Sequence, residues 1–173
     1  GDGIDDLLLC ASTADLFSVA DRGVAYLIFG NPGFFDAATR DLAIDSNWDL
    51  RIAGPVAAGD MGGSSAFGGL DAQGAAIGRL NDDIYGDIAL GVHLASGSAT
   101  ESGRAYIVLG GPFPSGFTLD LSSPTVYACR INGRAQYDEL GTMVETGDLT
   151  GDGIDELILG VEWAGRGLFT SDG

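Results

Sequence analysis

Short apolar runs alternate with polar, turn-rich segments along the whole chain, and most of the runs close on a glycine. Val24-Ala25-Tyr26-Leu27-Ile28-Phe29-Gly30, Tyr106-Ile107-Val108-Leu109-Gly110 and Leu157-Ile158-Leu159-Gly160 are typical. Runs of this length, rich in Val, Ile, Leu, Tyr and Phe and bounded by turn residues, predict buried β-strands. Helix is disfavoured over most of the chain, because Gly or Pro recurs too often for a helix to propagate. Only Ile4 to Arg22 and Phe34 to Ala53 leave room for a short one. The expected fold class is all-β.

The runs belong to a repeat. Gly1-Asp2-Gly3-Ile4-Asp5-Asp6-Leu7-Leu8-Leu9 matches Gly151-Asp152-Gly153-Ile154-Asp155-Glu156-Leu157-Ile158-Leu159 at seven of nine positions. A weaker copy runs from Asp82 to Leu90. An offset set of matches pairs Gly23–Gly30 with Gly103–Gly110, 80 residues later, and Arg51–Gly54 with Arg130–Gly133, 79 later. The acidic segments lie 81 residues apart (Asp6 to Asp87), then 69 apart (Asp87 to Glu156). The longer interval predicts an inserted surface loop at Gly59 to Gly69, which is small, polar and glycine-rich. The chain divides into repeat one at about 1–78, repeat two at about 79–147, and the start of repeat three at 148–173. Each repeat reads as acidic turn, strand, loop, strand, loop, strand. About four short antiparallel strands per repeat, arrayed radially, is the organisation of a β-propeller blade. The rival architecture is a β-sandwich, which does not require repetition.

The acidic turns carry the candidate chemistry. Counting Asp148 as position 1, oxygen-bearing side chains fall at Asp148, Thr150, Asp152 and Glu156, positions 1, 3, 5 and 9, with Gly153 at position 6. Ca2+ takes six to eight hard oxygen ligands. Alternate residues of a tight loop can turn their oxygens to one centre, with Ile154 offering its backbone carbonyl. Three carboxylates at such spacing are best neutralised by a cation. An EF-hand needs a Glu at position 12 and a following helix; here position 12 is Leu159, inside a strand-like run. An acidic turn without metal is the alternative. The first turn supplies Asp2, Ile4 and Asp6 at positions 5, 7 and 9; its earlier positions would precede Gly1, so the chain reads as part of a longer protein. The second turn, aligned on Asp87, offers Asn81, Asp83, Tyr85 and Asp87 but has Arg79 at position 1 and Ile84 at position 6. Arg79 there is expected to pair with Asp83 or Asp87 in place of an ion, making this the weakest of the three candidates.

The third turn, followed by an apolar strand and Gly160, resembles the Asp-X-Asn-X-Asp-Gly-X-X-Asp-Leu signature of FG-GAP repeats, which build the propellers of integrin α subunits and many bacterial surface proteins. Asp148, Thr150, Asp152, Ile154 and Glu156 fall on that family's ligand positions. Thr150 and Glu156 differ from the usual residues while keeping an oxygen. Leu140-Gly141 and Phe67-Gly68 stand where the Phe-Gly landmark is expected, and the later Gly-Ala-Pro is eroded to Gly91-Val92-His93 and Gly160-Val161-Glu162. The resemblance implies a calcium-stabilised, non-enzymatic module of an extracellular or cell-surface protein. It would bind a protein or glycan ligand, or assemble with further blades or copies. An accessory propeller of a secreted hydrolase and a repetitive fibre component are the alternatives.

Composition narrows the partners. The formal charge is −17, from 25 acidic and eight basic residues, and all eight are arginine. Phosphate backbones need a basic surface, so nucleic acid is not expected as a partner. No apolar run reaches the ~18 residues of a membrane helix, and no signal peptide or N-glycosylation sequon is visible. Glycine makes up 29 of 173 residues without a collagen period. Cys10 and Cys129 could form one bridge or remain two thiols.

Catalytic patterns are not found. His93 is the one histidine, a lysine-dependent P-loop is impossible, Ser64-Ser65 have no evident base, and Asp82 and Asp83, read as strand neighbours, would face opposite ways. Phe34, Phe35, Trp48, Phe113, Phe117 and Trp163 are candidates for a binding rim or for strand packing.

Overall fold

The computed structural model describes residues 2–34, 39–55, 61 and 74–164. The inserted loop at Gly59 to Gly69, Ser64-Ser65 and Phe67-Gly68 therefore lie outside the described residues, apart from Met61, and so does Phe35. Among the described residues ten strands make three separate sheets, none closed into a barrel. The first sheet contains β1 (Leu7–Ala11), β2 (Val24–Ile28) and β3 (Leu50–Ala53). The second contains β4 (Ala75–Gly78), β5 (Asp87–Val92), β6 (Arg104–Val108) and β8 (Cys129–Asn132). The third is the hairpin of β9 (Leu140–Gly147) and β10 (Glu156–Val161). The stretches that left room for a helix hold strands and one 3-10 turn, Asp45–Asn47.

One strand departs from the simple repeat. β7 (Phe117–Asp120) leaves the second sheet between β6 and β8 and joins the first sheet, parallel to β3. Leu50 pairs with Phe117 and Ala53 with Asp120. Arg22 fixes this join. Its guanidinium donates to the Gly54 carbonyl and to the Asp120 carboxylate, both at 2.7 Å, and its side chain is buried. Burial works to raise the Asp120 carboxyl, but hydrogen bonds from Ser122 and Arg22 prevail and hold it below its ordinary value.

Two apolar clusters join the three sheets, and β5 contributes to both. Every residue of β5 is buried. Ile88, Leu90 and Val92 point into one apolar cluster with Leu27, Leu50, Ile52 and Tyr106. Ala89 points the other way, into a second cluster with Ile107 and Val144, against which Leu157 and Leu159 pack. Burial on both faces explains why β5 reads as a continuous apolar run although its neighbours are antiparallel. The second interface is close because it is built from small residues. A Cβ on Gly91 would sit 1.9 Å from the Gly141 carbonyl oxygen, and Gly141 itself has φ +96°. Glycine at both positions lets the backbones of β5 and β9 meet.

Sheet membership runs one strand ahead of the acidic turns. β4 precedes the second turn and β9 the third, so each turn links the first two strands of its own sheet. The offset sequence matches are structurally equivalent as well. Gly54 N–H donates to Gly23 and Gly133 N–H to Gly103, each at 2.9 Å.

Candidate functional site: the acidic turns

The third turn is held from within by its own carboxylates. Asp148 Oδ1 accepts the N–H groups of Gly151 at 2.6 Å and Asp152 at 3.2 Å, and Oδ2 accepts that of Gly153 at 2.9 Å. Those bonds, Gly153 first, hold the Asp148 carboxyl below its ordinary value although it is fully exposed. Glu156 Oε2 accepts from Leu149 at 2.7 Å and Thr150 at 3.2 Å. Gly151 (φ +79°) and Gly153 (φ +87°) occupy the left-handed region, and a Cβ on either would meet nothing; backbone conformation alone selects glycine there. Ile154 is half-buried.

A single local bond recurs in all three turns, donated by the position-7 N–H to the position-5 carboxylate. It joins Asp2 to Ile4 at 3.0 Å, Asp83 to Tyr85 at 2.7 Å and Asp152 to Ile154 at 2.9 Å. This is an Asx turn, in which a short side chain substitutes for a backbone acceptor. Position 9 is shared too. Asp6 accepts Gly30 N–H at 2.9 Å, and Asp87 accepts Gly110 N–H at 2.8 Å. Asp87 also takes Leu80 N–H at 2.9 Å, as Glu156 takes Leu149 N–H. Asp87 is fully buried, whereas Asp6 is exposed.

The second turn thus keeps the Asx bond and the position-9 contacts while losing the first carboxylate and the left-handed residues at positions 4 and 6. Asn81 caps Asp83 N–H at 2.9 Å. Arg79 pairs with neither Asp83 nor Asp87, contrary to the sequence expectation. Its guanidinium lies 4.0 Å from exposed Asp82. Asp87 is buried, and each of its oxygens accepts a backbone amide. Asp82 and Asp83 lie in a bend, not a strand, so strand alternation does not govern them. Ile84, at the position glycine holds elsewhere, is 70% exposed.

The donor set of the third turn fits a hard divalent ion in chemistry, with three carboxylates, a hydroxyl and a carbonyl within nine residues. In the described arrangement these carboxylates are engaged by backbone N–H groups. Among the described residues no three His, Cys, Asp or Glu side chains converge as a metal-holding group. No family model matches this chain, and no curated protein matches it.

Sequence reasoning missed Asp155. At position 8, it turns away from the loop to Arg79, accepting Arg79 N–H at 2.8 Å and donating its own N–H to the Arg79 carbonyl at 2.7 Å. The available signal was Asp5, acidic at the same position of the first turn. The remaining candidates have plain positions. His93 and Trp48 are buried. Phe113 stacks on Phe117, ring centroids 6.5 Å apart. Trp163 is half-buried, its N–H 3.4 Å from the Asp138 carbonyl. Both cysteines are free thiols. Among the described residues no helix is long and apolar enough to cross a membrane.

Proposed function

We propose that this chain is a calcium-stabilised binding or assembly module of an extracellular or cell-surface protein, its sheets being blades of an FG-GAP-type β-propeller. The observation that carries the reading is the Asx bond common to all three acidic turns, at the spacing the FG-GAP signature gives its ligands. The recurrence of equivalent turns within successive antiparallel sheets also supports it. Asp148, Thr150, Asp152, the Ile154 carbonyl and Glu156 would hold the ion in the third turn, and Asp2, Ile4 and Asp6 contribute to the first. Calcium would supply charge neutralisation there, so that metal affinity becomes folding free energy. The low-lying Asp148 carboxyl suits a cation ligand better than a proton donor. Extracellular calcium modules bind at ~10⁻⁴–10⁻³ M, so titration calorimetry and melting curves need millimolar calcium. Chelator should lower Tm, and Asp152→Ala should remove a bound ion that Asp83→Ala leaves in place. Identical stoichiometry in the two variants, or a Tm indifferent to calcium, would refute the reading.

A further inference from the structure

A half-open cleft of about 370 Å³ lies between the first and second sheets, at the end where the acidic turns emerge. Its walls are apolar: Leu27 and Phe29 on one side, Ile77, Ile88 and Phe113 on the other. Its mouth is not, since Asp2 and Asp6 of the first turn line it. No Arg is among its described lining residues. Apolar walls with a few polar groups at one end, in a volume of this size, are the usual construction of a small-ligand site.

We propose that this cleft binds an amphipathic organic cation, an aromatic or branched apolar body carrying an amine or guanidinium. The apolar body would displace water from the walls, the dominant favourable term for a ligand of this kind. The cationic head would sit at the Asp2 and Asp6 carboxylates. Asp2 and Asp6 each give one oxygen to a backbone N–H, Ile4 and Gly30 respectively, which fixes the carboxylates in place. The chain's formal charge of −17 favours approach of a cation over an anion of the same shape. The site does not depend on calcium in the third turn. In the first turn calcium and the organic cation would compete for the same carboxylates.

Three probes of one shape and different charge test this: 2-phenylethylamine, 2-phenylethanol and 3-phenylpropionate. Each is titrated at 0.15 M salt in calcium-free buffer, with methyl resonances of Leu27, Ile77 and Ile88 as the readout. The amine is expected to bind in the millimolar range, about threefold or more tighter than the alcohol, with the carboxylate weakest. Ile84 lies on the rim and is 70% exposed, so Ile84→Arg leaves the fold intact. It should weaken the amine by about fivefold while sparing the alcohol. Asp152→Ala should change nothing here, which separates failure of this proposal from failure of the calcium reading. An acetylated and amidated Phe-Arg dipeptide distinguishes the source. Binding at least as tight as the amine assigns a protein partner's side chains, and weaker binding assigns a free small molecule. Equal affinities for all three probes, shifts confined to other methyls, or an Ile84→Arg variant that binds the amine unchanged would overturn the proposal.

Discussion

The Asp155 carboxylate accepts the Arg79 N–H at 2.8 Å, and the Asp155 N–H returns a bond to the Arg79 carbonyl at 2.7 Å. The third acidic turn is thereby fastened to the residue that opens the second. Thr146 adds a bond from its hydroxyl to the Ile77 carbonyl at 3.0 Å. Gly78 lies beneath both: a Cβ there would come 2.5 Å from Thr146 Oγ1 and 2.7 Å from Asp155 Oδ2. Asp155→Ala should cost about 0.5–1.5 kcal/mol, and Gly78→Ala about 1–3 kcal/mol through overpacking. Both should speed amide exchange at Arg79. Unchanged exchange at Arg79 in Asp155→Ala would show that the clamp does not hold in solution.

Asp87 and Asp6 occupy equivalent positions in different surroundings. Asp87 is fully buried and serves two backbone donors, Leu80 and Gly110, whereas exposed Asp6 serves Gly30. Asp87→Ala strands two half-buried N–H groups and should cost about 2–4 kcal/mol; Asp6→Ala should cost about 1 kcal/mol or less. Urea unfolding of the two variants gives the comparison, and equal losses would contradict the assigned roles.

Two carboxylates give opposite pH signatures. Burial, with Glu162 and Glu101 nearby, pushes Glu139 above its ordinary value of 4.5. The folded chain therefore holds that proton more tightly, and the associated stability is lost as pH rises through the raised value. Glu139→Gln should stabilise by about 0.3–0.5 kcal/mol near neutrality, the effect being screened at this exposure, and should lose its advantage below pH ~4. Asp148 is depressed, so its contribution is present above the ordinary Asp range and fades as acid titrates the folded carboxyl. Asp148→Asn should weaken the fold near neutrality and matter less at low pH. Melting curves between pH 3 and 7 separate the two, and parallel profiles would exclude both assignments.

The two thiols should differ in reactivity. Cys129 is exposed, whereas burial pushes the Cys10 thiol up to about 11. At pH 8 about one Cys10 in a thousand is thiolate. Iodoacetamide should label Cys129 first, and mass mapping that finds Cys10 first would contradict the shielding of the Cys10 thiol.

Much of the architecture was legible in the chain because its cause is local. Apolar runs between turn residues marked β2, β6 and β10, and the repetition marked segments that hold β1, β3, β5 and β8. The Asp152–Ile154 bond follows from residue type and spacing alone, as does left-handed Gly153. Contacts set by long-range packing were not legible. Arg79 was expected to reach Asp83 or Asp87 because sequence proximity gives no account of amides arriving from Leu80 and Gly110. Asp155 was missed because its partner lies 76 residues away. Nothing local marks Phe117–Asp120 as leaving its own sheet, since a short apolar strand carries no address. That choice depends on Arg22, 98 residues upstream of Asp120.

The excursion of β7 has a mechanical corollary. A segment that follows β6 in sequence forms the outer border of the sheet containing β3, so the two repeats are hooked together. Heat or tension that peels residues 117–120 away uncovers the β3 edge, a surface ready to recruit any passing strand. The smallest cooperative unit of this molecule is accordingly larger than one repeat. Cutting the chain between its first two sheets would yield fragments prone to exchange strands with one another.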